Sequence, residues 1–530
     1  MNVQLYKFGT SGIPNPHLKR DRALVTLIVS LKNYEVAENV AEYLTQYKDG
    51  DIFLLTPHER QEDEESQSVL FDEKTDVSIF VADQGEAPLP TSIIHYLFKL
   101  NIKNIFSIDR EFAITDYTRP NTTNDKILFV SPGSIYPLSL GSHQRMFNSL
   151  MGLLDSGISV SILFQEQNPE KNRAAKSALS LISSDVYNYK SARGKLKGKT
   201  KWKRVIHDKL TKENKRLTYK KQSFTEITQE RSSYWLEKQL KEIAEKNSYS
   251  AIWINYAWMM GKMHQQLRSK FKHVICDTHD VQFYRNSKET GWLEKLILSP
   301  KSERKSELKE LSKADLIIAI SERDGNLLKE ALPTKQVYTM APAFGHLNTN
   351  ITPRNLYTPL RFGFIGTKME ANLLALDYVF NNWWPSIHNY SPDSELLIAG
   401  NICLDPNIIR YSRLRDEIKI LGFVENLENY YKNIDVLLSP VMIKGGLNFK
   451  NVEAIVAGVN LITNQAGAEA LAPVRINAVE TVDEVLSSLR EIESSSLTNA
   501  EIRKKTQSMA MSAFGQLDIR PILELIKKRL

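Results

Sequence analysis

One short stretch of this sequence places exposed backbone, a cation and a carboxylate close together. It is SPVMIKGGLNFKNVEAIVAG, residues 439–458. Its first part is apolar and predicts the end of a buried strand, Gly445 and Gly446 follow, and Lys450 and Glu453 lie three residues apart in a predicted helix. Glycines let a ligand approach the main chain, and a helix start presents free N–H groups with partial positive charge. The stretch therefore suits an anion.

A diphosphate fits this stretch best, because Lys450 adds a full cation to the first helical turn. Glu453 lies one turn further on, where a carboxylate can accept two hydrogen bonds from a vicinal diol such as ribose. The residues alone leave a second interpretation open: a glycine-rich turn followed by a solvated Lys–Glu pair, since short glycine motifs are weak signals.

A second candidate site follows an apolar run in the middle of the chain. His279 lies in VICDTHD, between Asp277 and Asp280. A histidine flanked by aspartates can form hydrogen bonds through both ring nitrogens, which suits a site at the end of a strand. The alternatives are a histidine held in a structural turn and an Asp280 that caps a helix.

The elements that must position these residues alternate between strand and helix. Residues 125–350 and 355–510 each show this alternation, which predicts two Rossmann-like, doubly wound sheets, and residues 511–530 are predicted to form a terminal helix that crosses back onto the first of them. In open α/β sheets ligands bind beyond the carboxyl ends of the strands. The function is therefore expected in a cleft between the two domains.

Residues 1–120 repeat the alternation on a smaller scale. ALVTLIVSL, DIFLLTP, DVSIFVAD and KNIFSI predict parallel strands in a small three-layer α/β domain, whose role the sequence does not indicate. The polar segment TDYTRPNTTND, residues 115–125, is predicted to be a linker.

Composition indicates a cytoplasmic globular protein. The chain of 530 residues has no secretory signal and no run of eighteen apolar residues, and Cys276 and Cys403 lie far apart in apolar contexts typical of reduced thiols. Residues 190–221 carry a net charge of +12, so the remaining chain carries −5. This basic insertion is interpreted as a solvated segment or as a peripheral contact with the inner face of an anionic membrane; a nucleic-acid partner is not expected.

Six segments together resemble a known family. The glycine stretch above resembles the donor-site signature of family 4 glycosyltransferases (glycosyl transferases group 1), which have the GT-B fold. Five other segments resemble further parts of that family in the same order: SPGSIYPLSLGSHQR, VICDTHDVQFYR, ADLIIAISERD, FGFIGTKMEANLLALDYVFNNWWP and IKILGFVENLENYYKNIDVLLSP. The resemblance covers residues 125–510.

The resemblance implies a hexosyltransferase-type enzyme (EC 2.4). It would move a sugar from a nucleotide-diphosphate sugar to an acceptor hydroxyl on a polysaccharide, a lipid-linked glycan or a protein, with retention and without a metal or cofactor. His279 would contact the transferred sugar, with Asp280 as a second catalytic candidate. Gly141 would let a helix start approach the donor phosphates.

Two departures from the family pattern matter. Gly445 occupies the position of the first of two donor-site glutamates, and the usual Arg and Lys after the first donor-domain strand are reduced to Lys368. Lys368, Lys444 and Lys450 would then neutralise the phosphates. A non-catalytic GT-B-like scaffold and a sugar-nucleotide epimerase therefore stay open as alternatives.

Several other polar residues are given structural roles. Ser321 and Asp324 fit a helix capping box, and Asn372 and Asp377 are expected on a helix surface or as caps. The Asp-Gly-Asp at 49–51 precedes a strand and is interpreted as a turn, and no His/Cys cluster has metal-ligand spacing.

Overall fold

A computed structural model describes three β-sheets and their helices. The described residues are 4–8, 24–30, 44, 51–56, 76–82, 94, 97–98, 102–108, 114–117, 119, 125–138, 140–189, 223–232, 234–285, 300–344, 359–424, 427–443, 445–494 and 499–527. Lys444 and the basic insertion at 190–221 lie outside them.

The first sheet has six strands in the order β1-β3-β2-β4-β5-β6. They are β1 (Gln4–Phe8), β2 (Leu24–Ser30), β3 (Asp51–Thr56), β4 (Asp76–Ala82), β5 (Ile102–Ile108) and β6 (Ile114–Asp116). The four inner strands are parallel, as predicted, but β1 and β6 pair antiparallel at the two edges. The two edge strands were not predicted, and β6 overlaps the segment predicted as a linker. Short edge strands of this kind carry little periodicity for a sequence to show.

The second sheet has seven parallel strands in the order β13-β12-β11-β10-β7-β8-β9. They are β7 (Lys126–Val130), β8 (Ser159–Phe164), β9 (Asp185–Asn188), β10 (Ala251–Asn255), β11 (His273–Asp277), β12 (Leu316–Ala319) and β13 (Gln336–Thr339). Along β10, Trp253 joins the apolar core on one face, and Ile252 and Ile254 join the core on the other. Burial on both faces explains why these strands appear as continuous apolar runs.

Helices cover both faces of the second sheet. They are α1 (Gly141–Asp155), α2 (Pro169–Ser180), α3 (Phe224–Arg231), α4 (Tyr234–Lys246), α5 (Gln265–Arg268), α6 (Gln282–Arg285), α7 (Pro300–Leu311) and α8 (Glu322–Ala331). A 3₁₀ helix, Ala257–Lys262, follows β10. The strand order reverses between β7 and β10, which is where open α/β sheets bind ligands.

The third sheet has five parallel strands in the order β16-β15-β14-β17-β18. They are β14 (Arg361–Ile365), β15 (Glu395–Ala399), β16 (Ile418–Gly422), β17 (Val436–Leu438) and β18 (Asn460–Ile462). All five lie within residues 355–510, the range predicted for the second doubly wound sheet. The order reverses between β14 and β17, so the loops after these two strands meet at the expected ligand position.

The helices of the third sheet include the one predicted in the glycine stretch. They are α9 (Glu370–Tyr378), α10 (Trp384–Tyr390), α11 (Pro406–Ser412), α12 (Leu427–Lys432), α13 (Phe449–Val456), α14 (Gln465–Glu469) and α15 (Val482–Ser494). A π-helical turn, Val379–Trp383, joins α9 to α10, and a 3₁₀ helix, Asn401–Leu404, precedes α11.

The last two helices connect the two lobes, which are the second sheet and the third sheet, each with its own helices. On α16 (Asn499–Phe514), Ala510 and Phe514 pack in one apolar cluster with Val452 and Ile455 of α13. The following helix, α17 (Arg520–Lys527), places Ile522 in the core of the second sheet. The chain therefore returns from the third sheet to the second at its end.

Candidate active site

His279 follows β11, the strand next to β10, and its side chain contacts Asn255 at the end of β10, where the strand order reverses. Its Nε2 is 3.0 Å from Oδ1 of Asn255, and Nδ2 of Asn255 donates to the carbonyl of Val130 (2.9 Å). Because the Asn255 amide nitrogen donates to Val130, its oxygen is the acceptor and Nε2 of His279 is the donor. The other ring nitrogen, Nδ1, then carries a lone pair.

The surroundings of His279 keep the ring neutral. The ring is buried and stacks on Tyr256 with the centroids 4.1 Å apart. Burial lowers the pKa of His279 to about 4, which outweighs the opposing effect of Asp277. Its backbone has φ 58°, a conformation that non-glycine residues rarely adopt and that concentrates at functional sites. The arrangement gives a neutral hydrogen-bond acceptor in a fixed orientation.

A buried ion pair lies next to the loop that carries His279. Arg145 of α1 donates from Nη2 and Nε to Oδ1 of Asp277 (2.8 and 3.0 Å), and its Nη1 donates to the carbonyl of Met340. Both charged side chains are at most 1% exposed. The pair ties α1, the end of β11 and the segment after β13 together. The sequence alone did not indicate this role of Arg145, although the residue ends one of the segments that carry the family resemblance.

Asp280 lies on the wall of the cleft. Its carboxylate accepts a hydrogen bond from the Gln282 side chain, and its Cβ would be 3.4 Å from a Cβ built on Gly446. The helix-cap interpretation of Asp280 is wrong, because Glu307 accepts from the backbone N–H groups of Gln282 and Phe283 (3.0 and 2.7 Å). Asp280 therefore stands next to the glycine loop of the opposite lobe.

The glycine loop has the backbone that its sequence predicts. Gly445 and Gly446 have φ 134° and 60°, which L-residues with a Cβ rarely adopt. Asn448 is the N-cap of α13 and makes no capping hydrogen bond with its side chain. No side-chain cap therefore occupies the first N–H groups of the helix, although the N–H of Asn451 donates to the carbonyl of Asn448 (3.1 Å). Lys444, predicted to bind donor phosphate, lies outside the described residues.

Lys450 is buried, which argues against the solvated Lys–Glu pair that the sequence left open. Its Nζ is 4.2 Å from the centroid of the Phe364 ring and donates to Oδ1 of Asn372 (3.1 Å). Burial lowers the pKa of Lys450 to about 7, although Glu453 opposes the shift. The amide of Asn372 also donates to the carbonyl of Thr367 (3.0 Å), so Asn372 has a positioning role and not the surface or capping role expected.

Glu453 is held from the interior of the third sheet. The hydroxyl of Tyr431, which is fully buried, donates to Oε2 of Glu453 (3.0 Å). Burial raises the pKa of Glu453, while Tyr431 and Lys450 oppose the rise. The carboxylate is therefore fixed in orientation one helical turn from Lys450.

Lys368 and Gly141 complete the predicted donor-site residues. Lys368 follows β14, is half exposed and pairs with Asp405 (3.4 Å), so part of its charge is already neutralised. Gly141 is the first residue of α1, and a Cβ there would lie 3.0 Å from the ring of Phe449. The starts of α1 and α13 thus meet across the cleft.

The remaining sequence predictions have simple outcomes. Ser321 is the N-cap of α8 and accepts from the N–H of Asp324 (3.2 Å), which confirms one half of the predicted capping box. Asp377 accepts from the Asn381 side chain on the helix surface. Within the described part of the chain no group of three or more His, Cys, Asp or Glu could hold a metal ion. No helix there is long and apolar enough to cross a membrane.

Comparison with known proteins agrees with this geometry. Residues 359–486 match the family model of glycosyl transferases group 1. No curated protein sequence matches the chain significantly.

Several solved structures share the fold. Sucrose-phosphate synthase from Thermosynechococcus elongatus aligns with a TM-score of 0.52 and 14% identity, over 76% of this chain and 97% of that one. Anabaena HepE in complex with UDP and glucose aligns with a TM-score of 0.51 and 13% identity, over 76% of this chain and 98% of that one. A variant of S. aureus TarM in complex with fondaparinux, alpha-GlcNAc-glycerol and UDP aligns with a TM-score of 0.51 and 11% identity, over 76% of this chain and 100% of that one. The chain therefore has the GT-B fold, and the match of its third-sheet region to glycosyl transferases group 1 confirms the family resemblance seen in the sequence.

Proposed function

We propose that this protein is a glycosyltransferase that moves a sugar from a nucleotide-diphosphate sugar to an acceptor hydroxyl. One observation carries the proposal. The uncapped start of α13, with Lys450 and Glu453 on its first turns, lies at the strand-order reversal of the third sheet and meets the loop of His279 across the cleft. An anion site, a diol acceptor and a histidine that contacts the sugar would then lie along one groove.

The leaving diphosphate would lie on the free N–H groups after Gly445 and Gly446. Electrostatic stabilisation of developing charge commonly contributes more to catalysis than any other single effect, and here it would come from the helix start and from Lys450. Phosphate next to Lys450 would draw a proton onto its amine, whose pKa is about 7 in the free protein. Lys368 would contribute from the rim, and Lys444, which lies outside the described residues, stays a further candidate from the sequence.

The other two groups would hold the ends of the donor. Glu453, oriented by Tyr431, would accept hydrogen bonds from the ribose diol. His279, neutral and with its Nε2 bound to Asn255, would accept from a hydroxyl of the transferred sugar through Nδ1. Asp280 would line the same wall beside Gly446. Retention of configuration and transfer without a metal belong to the proposal.

UDP is the first donor nucleotide to examine, because HepE and TarM were both crystallised with UDP. The TarM complex also contains glycan-type ligands, which favours a glycan acceptor for this chain over a protein. A cytoplasmic location, with peripheral membrane contact through 190–221, stays a prediction.

The test is nucleotide release from a panel of UDP-, GDP-, ADP- and TDP-sugars, with and without glycan acceptors. The proposal expects acceptor-dependent release from one donor series. It also expects UDP or another matching diphosphate to stabilise the protein by about 2.7 kcal/mol at a hundredfold excess over Kd. Absence of both effects would reject it.

A second function is favoured by Gly445, which leaves the donor-sugar side of the loop without the family's first glutamate. A non-catalytic scaffold would bind nucleotide or glycan but release no nucleotide from any donor. An epimerase would convert the donor without any acceptor. The same panel separates all three.

A further inference from the structure

Arg323 reaches from the second-sheet lobe to the glycine loop of the third-sheet lobe. It is the second residue of α8, and its Nη2 donates to the carbonyl of Gly446 (3.0 Å). The guanidinium lies over the ring of Tyr284, 5.2 Å from its centroid. Its Nε is 3.4 Å from Oδ1 of Asp324. The side chain is 14% exposed, so these contacts hold it in the cleft wall.

One end of this guanidinium has no hydrogen-bond partner among the described residues. Nη1 is shielded from solvent and makes no hydrogen bond to any described residue. A buried donor without an acceptor is costly, and more so on a charged group. Such groups are rare in native proteins and require an explanation, for which a ligand is one. Since Nη1 and Nη2 belong to one rigid plane, the free donor lies beside the same loop that Nη2 contacts.

The charges in the groove give this free donor a role. Lys450 has its pKa lowered to about 7, and Lys368 shares its charge with Asp405. The family's usual arginine after the first donor-domain strand is absent from GTKMEAN. Arginine stays protonated at every physiological pH and binds phosphate oxygens well. Arg323 also pairs with an acid, Asp324 (3.4 Å), as Lys368 does with Asp405, but it would supply from the opposite lobe the arginine that the third-sheet lobe lacks.

We propose that Arg323 is a donor-binding residue whose Nη1 binds an oxygen of the nucleotide's terminal phosphate. This inference rests on the proposed function, because it takes the groove beside Gly446 as the diphosphate site. Asp324 accepts from Nε (3.4 Å), so this contact leaves Nη1 for the ligand. The bond to Gly446 then keeps the charged group next to the glycine loop when the phosphate arrives.

The competing explanation is a latch, in which Arg323 only joins the two lobes. Titration calorimetry with UDP and with UMP separates the two, because these ligands differ only in the terminal phosphate. Arg323→Gln and Arg323→Lys are compared with the wild type. The matched control is Arg415→Gln, since Arg415 also lies over a tyrosine (Tyr411, 5.3 Å) beside an acid but precedes the amino end of β16.

The proposal expects Arg323→Gln to weaken UDP binding by about 10- to 100-fold and UMP binding by less than twofold. Arg323→Lys should recover part of the loss, and Arg415→Gln should bind as the wild type does. Equal weakening of UDP and UMP would show a latch and overturn the proposal, as would unchanged UDP binding by a folded Arg323→Gln protein.

A wild type that binds UDP no better than UMP would also overturn it. The proposed function fails separately, when the wild type binds no nucleoside diphosphate at all.

Discussion

Gly141 and Phe449 touch across the cleft: a Cβ on Gly141 would lie 3.0 Å from Cγ of the Phe449 ring. Each residue is the first of its helix, α1 in one lobe and α13 in the other. The ring is also packed edge-on against Phe344, 5.3 Å between centroids, which limits its freedom to move away. The spacing of two helix starts therefore depends on the absence of one methyl group.

Gly141→Ala tests this contact directly. Overpacking of this kind costs about 1–3 kcal/mol, so the substitution should widen the cleft and weaken UDP binding measured by titration calorimetry. Gly133→Ala is the matched control, because no atom lies within 4 Å of a Cβ there. Phe449→Ala in the Gly141→Ala background should recover binding. Unchanged affinity in the single variant would show that the two helix starts separate freely.

Lys450 predicts a pH dependence of nucleotide binding. Its pKa is about 7 in the free protein, and a bound diphosphate favours the protonated amine. UDP affinity should therefore fall as the pH rises from 7 to 9, by up to about tenfold per unit, and binding should take up a proton. Calorimetry in two buffers of different ionisation enthalpy measures that proton.

Lys450→Met should remove both the pH dependence and most of the affinity. Lys432→Met, at an exposed position on α12, should retain both. A wild-type affinity that is flat from pH 7 to 9 would contradict the assignment of Lys450 to the diphosphate.

His279 predicts a separation of turnover from donor binding. Because a misplaced sugar loses about 100-fold in rate, His279→Ala should lower kcat by about that factor and leave UDP affinity within twofold. Because the pKa of His279 is about 4, protonation of its ring should cause no loss of wild-type activity near pH 6.5. Initial rates from pH 4.5 to 8 measure this. If the wild-type rate falls as the pH is lowered through about 6.5, and His279→Ala no longer shows this fall, the ring is not neutral and the assignment is refuted.

Glu307 predicts a pH dependence of stability. Burial raises its pKa to about 8, with Asp280 and Glu303 adding to the rise. Between its ordinary pKa and 8 the folded protein keeps a proton that the unfolded chain releases, so stability falls as the pH rises through this window. The slope is at most about 1.4 kcal/mol per unit.

Chemical denaturation at pH 6, 7 and 8 should show this slope in the wild type and a smaller one in Glu307→Gln. Glu330→Gln, at an exposed position on α8, serves as control. Equal slopes in all three proteins would mean that Glu307 is ionised in the folded state.

The sequence predicts the two doubly wound sheets well, because strands buried on both faces are long apolar runs with glycines and polar loops between them. It also predicts the backbone of the 445–446 loop, since both glycines have positive φ. The positioning contacts could not be predicted. Arg145 and Asp277 lie 132 positions apart, and Asn255 and His279 lie 24 apart. No local pattern shows which polar residues pair over such separations.

The burial of side chains at the site could not be predicted from the sequence either. A lysine in the first turn of a helix is usually solvated, and only the packing of Phe364 and Asn372 around Lys450 shows otherwise. The role proposed for Arg323 depends on a contact between lobes, which neither local pattern nor periodicity can show.

The location of a bound donor tests the central claim most directly. A crystal structure of the protein soaked with UDP-glucose should show the diphosphate on the N–H groups at the start of α13, with the sugar facing His279. Density for the nucleotide at any place outside the groove between α1 and α13 would contradict the proposed donor site.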